Sequence, residues 1–184
     1  MINEALTCLA EDINEFFRNR LRENEDRVIL SAIVNQDGTV AIEGENKIVL
    51  TLVNIEEEPI SKNTSISNRS AANNTPPVKI NIYILFSAYF AKYDVALHFL
   101  DNIISYLQGK NIFNSANTPR LDSSIDKFSV EMVSMGTEKL NNLWATLGAK
   151  YMPSVLYKIR MLSFHSSHVK ELRPPISSAV DEAS

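Results

Sequence analysis

Residues 47–55, KIVLTLVNI, place apolar side chains on both alternating faces. Successive side chains of a strand point to opposite sides of its sheet, so such a segment is stable only where both sides are covered. It is therefore expected in the interior of a sheet, with a packing layer above and below. Residues 78–90, VKINIYILFSAYF, form the longest strand candidate. Val78, Ile80, Ile82, Ile84 and Phe86 line one face, and Lys79, Asn81, Tyr83 and Leu85 line the other. The second face turns from polar to apolar along its length, which predicts a strand that outruns its covering layer.

Helices must supply those layers. Residues 2–21 repeat apolar positions at spacings of three and four: Ile2, Leu6, Leu9, Ile13, Phe16 or Phe17, and Leu21. These share one stripe of an amphipathic helix. Arg18, Arg20 and Arg22 fall where cations offset the negative end of the helix dipole. Cys8 lies off the stripe, towards the polar side, and Glu11-Asp12 is expected on the solvated face. A second helix is predicted over residues 94–108, with Val95, Phe99, Leu100, Ile103, Ile104 and Leu107 in register, Asp94 as its cap and Gly109 at its end. A third, short helix is expected to begin at a capping Thr137, to carry Leu140, Leu143, Trp144 and Leu147 on one side, and to stop near Gly148 before Pro153. Trp144 is expected to be a core anchor.

Shorter strands complete the pattern. Residues 28–34 are β-rich, Asn35-Gln36-Asp37-Gly38 is a turn signal, and residues 40–42 can pair back as a hairpin arm. Residues 111–126 read as a polar connection, and 128–135 and 154–162 as strands. In the last of these, Val155, Tyr157, Ile159 and Met161 oppose Lys158 and Arg160. Residues 56–77, EEEPISKNTSISNRSAANNTPP, break every pattern and offer almost nothing to bury. The expected architecture is α+β, with a mostly antiparallel sheet flanked by helices. It comprises a domain over 1–165 containing the loop 56–77, followed by an extended tail over 166–184. Strand order does not follow from the sequence.

The chain has 184 residues, 45% of them apolar and 22% charged, with a formal charge of -4. It has scattered Lys and Arg and no basic cluster, so neither nucleic acid nor an anionic membrane is an expected partner. One cysteine, Cys8, permits no internal disulfide and no Cys-based zinc cluster. The first residues lack the basic and apolar segments of a secretory signal, and no apolar run approaches the roughly 20 residues that span a bilayer. Synthesis and assembly in the cytoplasm are the expectation.

Catalytic patterns are missing as well. There is no glycine-rich phosphate loop among five glycines. His98 reads as a boundary residue at the edge of the core, and no nucleophile elbow accompanies it. His165 and His168, three apart, fall where a strand gives way to the tail and lack further ligands. Ser124-Ile125-Asp126-Lys127 matches a short S-x-x-K string without its partner motifs. No enzyme activity, cofactor or metal is expected.

Four blocks occur in order: INEALTCLAEDINEFF, KIVLTLVNIEEEP, PPVKINIYILFSAYFAKYDVALHFLDNIISYLQG and FSVEMVSMGTEKLNNLWATLGAKYMPSVLYKIRML. Together, over residues 2–165, they resemble the cap or tail-terminator proteins of extracellular contractile injection systems. These phage-tail-like particles include the antifeeding prophage and Photorhabdus virulence cassettes. The resemblance implies a tail-terminator-like fold. It also implies a six-fold homomeric ring that ends the inner tube, distal to the baseplate, and engages the last sheath layer. The implied partners are the tube protein, the sheath protein and further copies of the chain. On this reading the interface is expected at Glu56, Glu57, Glu58, Lys62 and Arg69 of the loop. His165, His168, Lys170 and Arg173 of the tail are expected to join it. Alternatives are a baseplate or sheath-end adaptor and, from a different class, a small ligand-binding domain or hydrolase.

Overall fold

A computed structural model describes residues 1–58 and 78–164. Helix α1 spans Ile2–Leu21, as its periodicity predicts, and buries Leu6, Leu9, Ile13 and Phe17. Strands β1 (Val28–Leu30), β2 (Lys47–Glu57) and β3 (Val78–Tyr89) follow. Helix α2 (Tyr93–Gly109), strands β4 (Ile112–Asn114) and β5 (Lys127–Val133), helix α3 (Thr137–Leu147) and strand β6 (Ser154–Phe164) complete the described chain. The strands form one six-stranded sheet in the order β1-β2-β3-β6-β5-β4. The β1–β2 pair is parallel and every other neighbouring pair antiparallel. The α+β architecture with a mostly antiparallel sheet is thus as expected.

Three layers result. On one face, Ile48 and Leu50 of β2, Ile82, Ile84 and Phe86 of β3, and Tyr157 and Ile159 of β6 pack beneath α1 and α2. Phe17 meets Phe99 edge-on at 5.1 Å, joining the two helices over the sheet. On the other face, Val49, Leu85 and Leu156 pack with Ile33 and with Trp144 of α3. Strands β2 and β3 therefore have both sides covered around Ile48–Thr51 and Ile84–Ala88, as their sequence requires. Each fully buried Phe or Leu contributes roughly 1.5–3 kcal/mol by leaving water, so the larger face dominates the stability.

Several expectations are corrected. The strand expected over 28–34 stops at Leu30, and the hairpin arm reduces to one antiparallel bridge, Val34 to Val40. Beyond Leu30, the Thr51 hydroxyl donates to the Ser31 carbonyl at 2.8 Å, so a side chain satisfies that carbonyl in place of a continuing ladder. The turn before Val40 forms as expected, with Gly38 at φ +82°, a conformation that favours glycine. Asp94 lies in the first turn of α2 without capping it; Lys92 holds the cap position. Thr137 likewise lies inside α3, capped by Gly136, while Gly148 closes that helix in a left-handed conformation as expected.

The polar connection is more structured than its composition implies. It contains β4, whose Phe113 stacks on Phe128 at 4.9 Å, and it buries Thr118 and Ile125. Folding back against α1, it covers Cys8 and Asp12, while Glu11 stays exposed as expected. Cys8 is consequently buried, and burial pushes its thiol above the usual range, with Asp12 and Glu11 adding to the effect. Asp12 accepts hydrogen bonds from the Tyr106 hydroxyl and, at 2.8 Å, from the Lys110 ammonium. Asp12 thus locks α1 to α2, whereas the sequence placed it on a solvated face. Asn14 has a comparable role: buried, it donates to the Val28 carbonyl and accepts from the Arg27 and Val28 amides at 2.8–2.9 Å.

Candidate interaction surface

The register fixes two ends of the sheet. At one end, Glu57 of β2 stands opposite Ile80 of β3, and Val78 of β3 stands opposite Phe164 of β6. The loop expected over 56–77 and the tail expected over 166–184 therefore both leave the sheet from this end. It is called the arm end below. At the other end, Lys47 pairs with Tyr89, and Ser87 with Ser154. Antiparallel pairing of three adjacent long strands makes this separation unavoidable.

The acidic run expected to open the loop belongs partly to a strand. Glu56 and Glu57 extend β2, pairing with Asn81 and Ile80, and the Glu58 amide donates to the Lys79 carbonyl at 2.8 Å. Ladder pairing with β3 overrides the polar composition here. Glu56 accepts from the Tyr83 hydroxyl at 2.9 Å and lies 3.5 Å from the Lys158 ammonium. That ammonium sits 5.1 Å from the centre of the Tyr83 ring. The Tyr83 hydroxyl and the Glu56 carboxylate hold Lys158 above its ordinary pKa. Glu58 accepts from the amide of Asn81, which is buried although it lies on the expected polar face of β3. Glu57 remains exposed.

These residues belong to a polar row that crosses the sheet. Asn54, Tyr83, Lys158 and Glu131 stand in register on β2, β3, β6 and β5. Arg160 approaches Glu131 at 3.1 Å. Lys62, Arg69, His165, His168, Lys170 and Arg173 lie outside the described residues. His98 is exposed on α2, further from the core than the sequence implied, and its carbonyl accepts from Asn102 at 2.8 Å. Among the described residues no group of three or more His, Cys, Asp or Glu could hold a metal ion, and no helix is long and apolar enough to cross a membrane.

The opposite end carries an apolar groove of about 660 Å³. Its walls come from the 33–42 turn, the end of β3, the start of α2 and residues 148–153. Val40, Tyr93 and Tyr151 line it while remaining 57%, 64% and 62% exposed. Lys150 is the one charged residue lining it among the described residues. The sequence could not single out these residues because each wall is contributed by a separate element. The nearest signal is the apolar and aromatic content of residues 88–93, where a strand ends.

The chain matches the family described as the Pvc16 N-terminal domain over residues 6–178. Among solved structures, it is similar to the sheath/tube terminator of an extracellular contractile injection system, PVC, in the extended state. Identity is 16%, with 95% of this chain and 64% of that one covered, at a TM-score of 0.47. It is also similar to the cap of the anti-feeding prophage, a tube-terminating cap, at 17% identity. That match covers 94% of this chain and 61% of the other, with a TM-score of 0.46. The chain thus spans under two thirds of the length of both structures. None of the curated proteins matches it. The family match covers nearly the whole sequence and agrees with the resemblance carried by the four sequence blocks: this chain belongs to the Pvc16 N-terminal domain family.

Proposed function

We propose that this chain is a structural, non-enzymatic cap of a contractile injection particle. It ends the inner tube, distal to the baseplate, as a six-fold ring and engages the last layer of sheath. The observation that carries the reading is membership of the Pvc16 N-terminal domain family over residues 6–178. The geometry supports it in one respect. The two ends of the sheet are chemically unlike, which suits contacts between copies that run from one patch to a different patch. Such heterologous contacts close rings when their rotation closes. A terminator also needs unlike faces, one matching the tube and one presenting no copy of the tube outward.

On this reading the unit over 1–165 forms the ring, and the loop 56–77 and tail 166–184 make the outward contacts. Glu56, Glu57, Glu58, Lys62 and Arg69 dock on tube or a neighbouring copy, and His165, His168, Lys170 and Arg173 on sheath. Multivalency offsets the ordering cost of each contact through high effective concentration. Assembly takes place in the cytoplasm, before the particle is released.

Electron microscopy of native particles carrying a gold-detectable tag on Ser184 tests the proposal. Label confined to the end opposite the baseplate is the expected result. Label at the baseplate would replace this reading with that of a baseplate adaptor. Intact particles without label, with the tag shown to be accessible, would remove the chain from the particle altogether.

A further inference from the structure

We propose that the apolar groove receives the Pro174-Pro175 segment of a second copy of this chain. The proposal goes beyond the cap reading and does not depend on it. Four aromatic residues, Tyr89, Phe90, Tyr93 and Tyr151, line the groove. Consecutive prolines favour the polyproline II helix, which is extended before binding and loses little entropy on docking. Grooves walled by aromatic side chains are the recurrent receptors for such segments. Tyr93 and Tyr151 are largely exposed, so a covering segment would remove substantial aromatic surface from water. Arg173 precedes the prolines and Asp181 and Glu182 follow them, and Lys150 on the groove and Lys92 beside it are exposed, so the acidic end of the segment is the one that suits these lysines.

Chain length decides which copy supplies the segment. Strand β6 runs from Ser154 beside the groove to Phe164 at the arm end. At about 3.3 Å per residue it covers roughly 33 Å. From Phe164 to Pro174 the chain reaches at most about 36 Å when fully extended. That leaves no allowance for reversing direction and passing around the sheet into the groove beyond Ser154. A second copy placed with its arm end towards the groove has no such restriction. Pro76-Pro77 is the competing segment. It directly precedes the first residue of β3 at the arm end and is tethered on both sides.

Fluorescence anisotropy of a labelled peptide spanning residues 169–181, titrated with the full chain, tests the assignment. Saturable binding is expected, weakened roughly tenfold or more by Tyr151→Ala or Tyr93→Ala in the chain. Pro174→Ala together with Pro175→Ala in the peptide should weaken it equally. Both tyrosines are largely exposed, and a retained cooperative thermal transition will show that each variant is folded. A chain carrying P174A and P175A in its own tail is expected to bind the peptide within about threefold of wild type, the margin that mass action between copies allows. Binding about tenfold tighter by that variant would place each chain's own tail in its groove and overturn the second-copy assignment. No saturation by about 1 mM chain, binding indifferent to both tyrosines, or equal binding of a peptide spanning residues 70–82 would overturn the proposal.

Discussion

The two ends of the sheet spend their side chains differently. At the arm end two glutamates are held within the sheet, Glu56 by Tyr83 and Lys158 and Glu58 by Asn81, while Arg160 lies 3.1 Å from Glu131. At the groove end Val40, Tyr93 and Tyr151 meet solvent. Exposed ion pairs contribute about 0–1 kcal/mol each, and a partner that displaced them would gain little. Buried aromatic anchors, by contrast, dominate the energetics of protein interfaces. Glu56 and Glu58 are therefore already held within the sheet, and among the described residues the surface with free energy left to gain is the one the sequence does not advertise.

The largest expected effect tests whether the groove end is built on the core. Trp144 anchors α3 on the smaller face and meets Tyr151 edge-on at 5.7 Å, so it holds the 148–153 wall in place. Trp144→Ala is expected to lower unfolding stability by about 3–5 kcal/mol in urea titration. A loss below about 1 kcal/mol would mean that α3 and the groove wall are not held by this contact.

Next in size is an effect of alkaline pH, which asks whether both ends belong to one cooperative body. Tyr157, buried between them, has its hydroxyl pushed up to about 12 by desolvation. Tyr106 is raised too, by desolvation and by its hydrogen bond to Asp12. A raised value means that the folded chain keeps a proton the unfolded chain releases above about pH 10. The associated stability is whole below pH 10 and declines as pH rises towards 12, by on the order of 2 kcal/mol for Tyr157. Thermal melts from pH 8 to 11.5 should show a falling midpoint within a single transition. Two transitions would divide the ends into separate units, and a flat profile would contradict the burial of both hydroxyls.

The sequence disclosed the parts that repeat and hid the parts that meet. The stripe of α1, the two-sided apolar pattern of β2 and the Gly148 stop depend on local periodicity and backbone conformation, which a single segment encodes. The parallel β1–β2 pair and the order of strands depend on which segments choose each other. Cys8 and Asp12 read as solvent-facing because their cover, residues 111–126, looks polar and packs through a few scattered residues, Phe113, Thr118, Leu121 and Ile125. The acidic run reads as loop in the sequence because its strand character comes from the partner strand β3. The groove takes its walls from distant segments, so no window of sequence contains it.

The smaller effects sharpen the contrast directly. Lys158→Met is expected to cost about 0.5–1 kcal/mol, the range of a partly exposed ion pair with a cation–π contact. In a double-mutant cycle with Glu56→Gln the coupling should shrink in about 1 M salt, where screening shortens to roughly 3 Å. A cost above about 2 kcal/mol would make the arm-end pairs structural and weaken the comparison.

At the groove end Tyr93→Ala should change stability by less than about 0.5 kcal/mol, as for other surface positions. Tyr151→Ala should cost up to about 1 kcal/mol, because its edge-on contact with Trp144 is lost as well. Urea titration of both variants beside Trp144→Ala gives the ordering. If Tyr93 and Tyr151 are dispensable for folding while Trp144 is not, the groove is a surface resting on the core, and its exposed rings are free to bind. If either tyrosine costs as much as Trp144, its ring is part of the core. The apolar end then resembles the arm end, a surface whose groups are already spoken for.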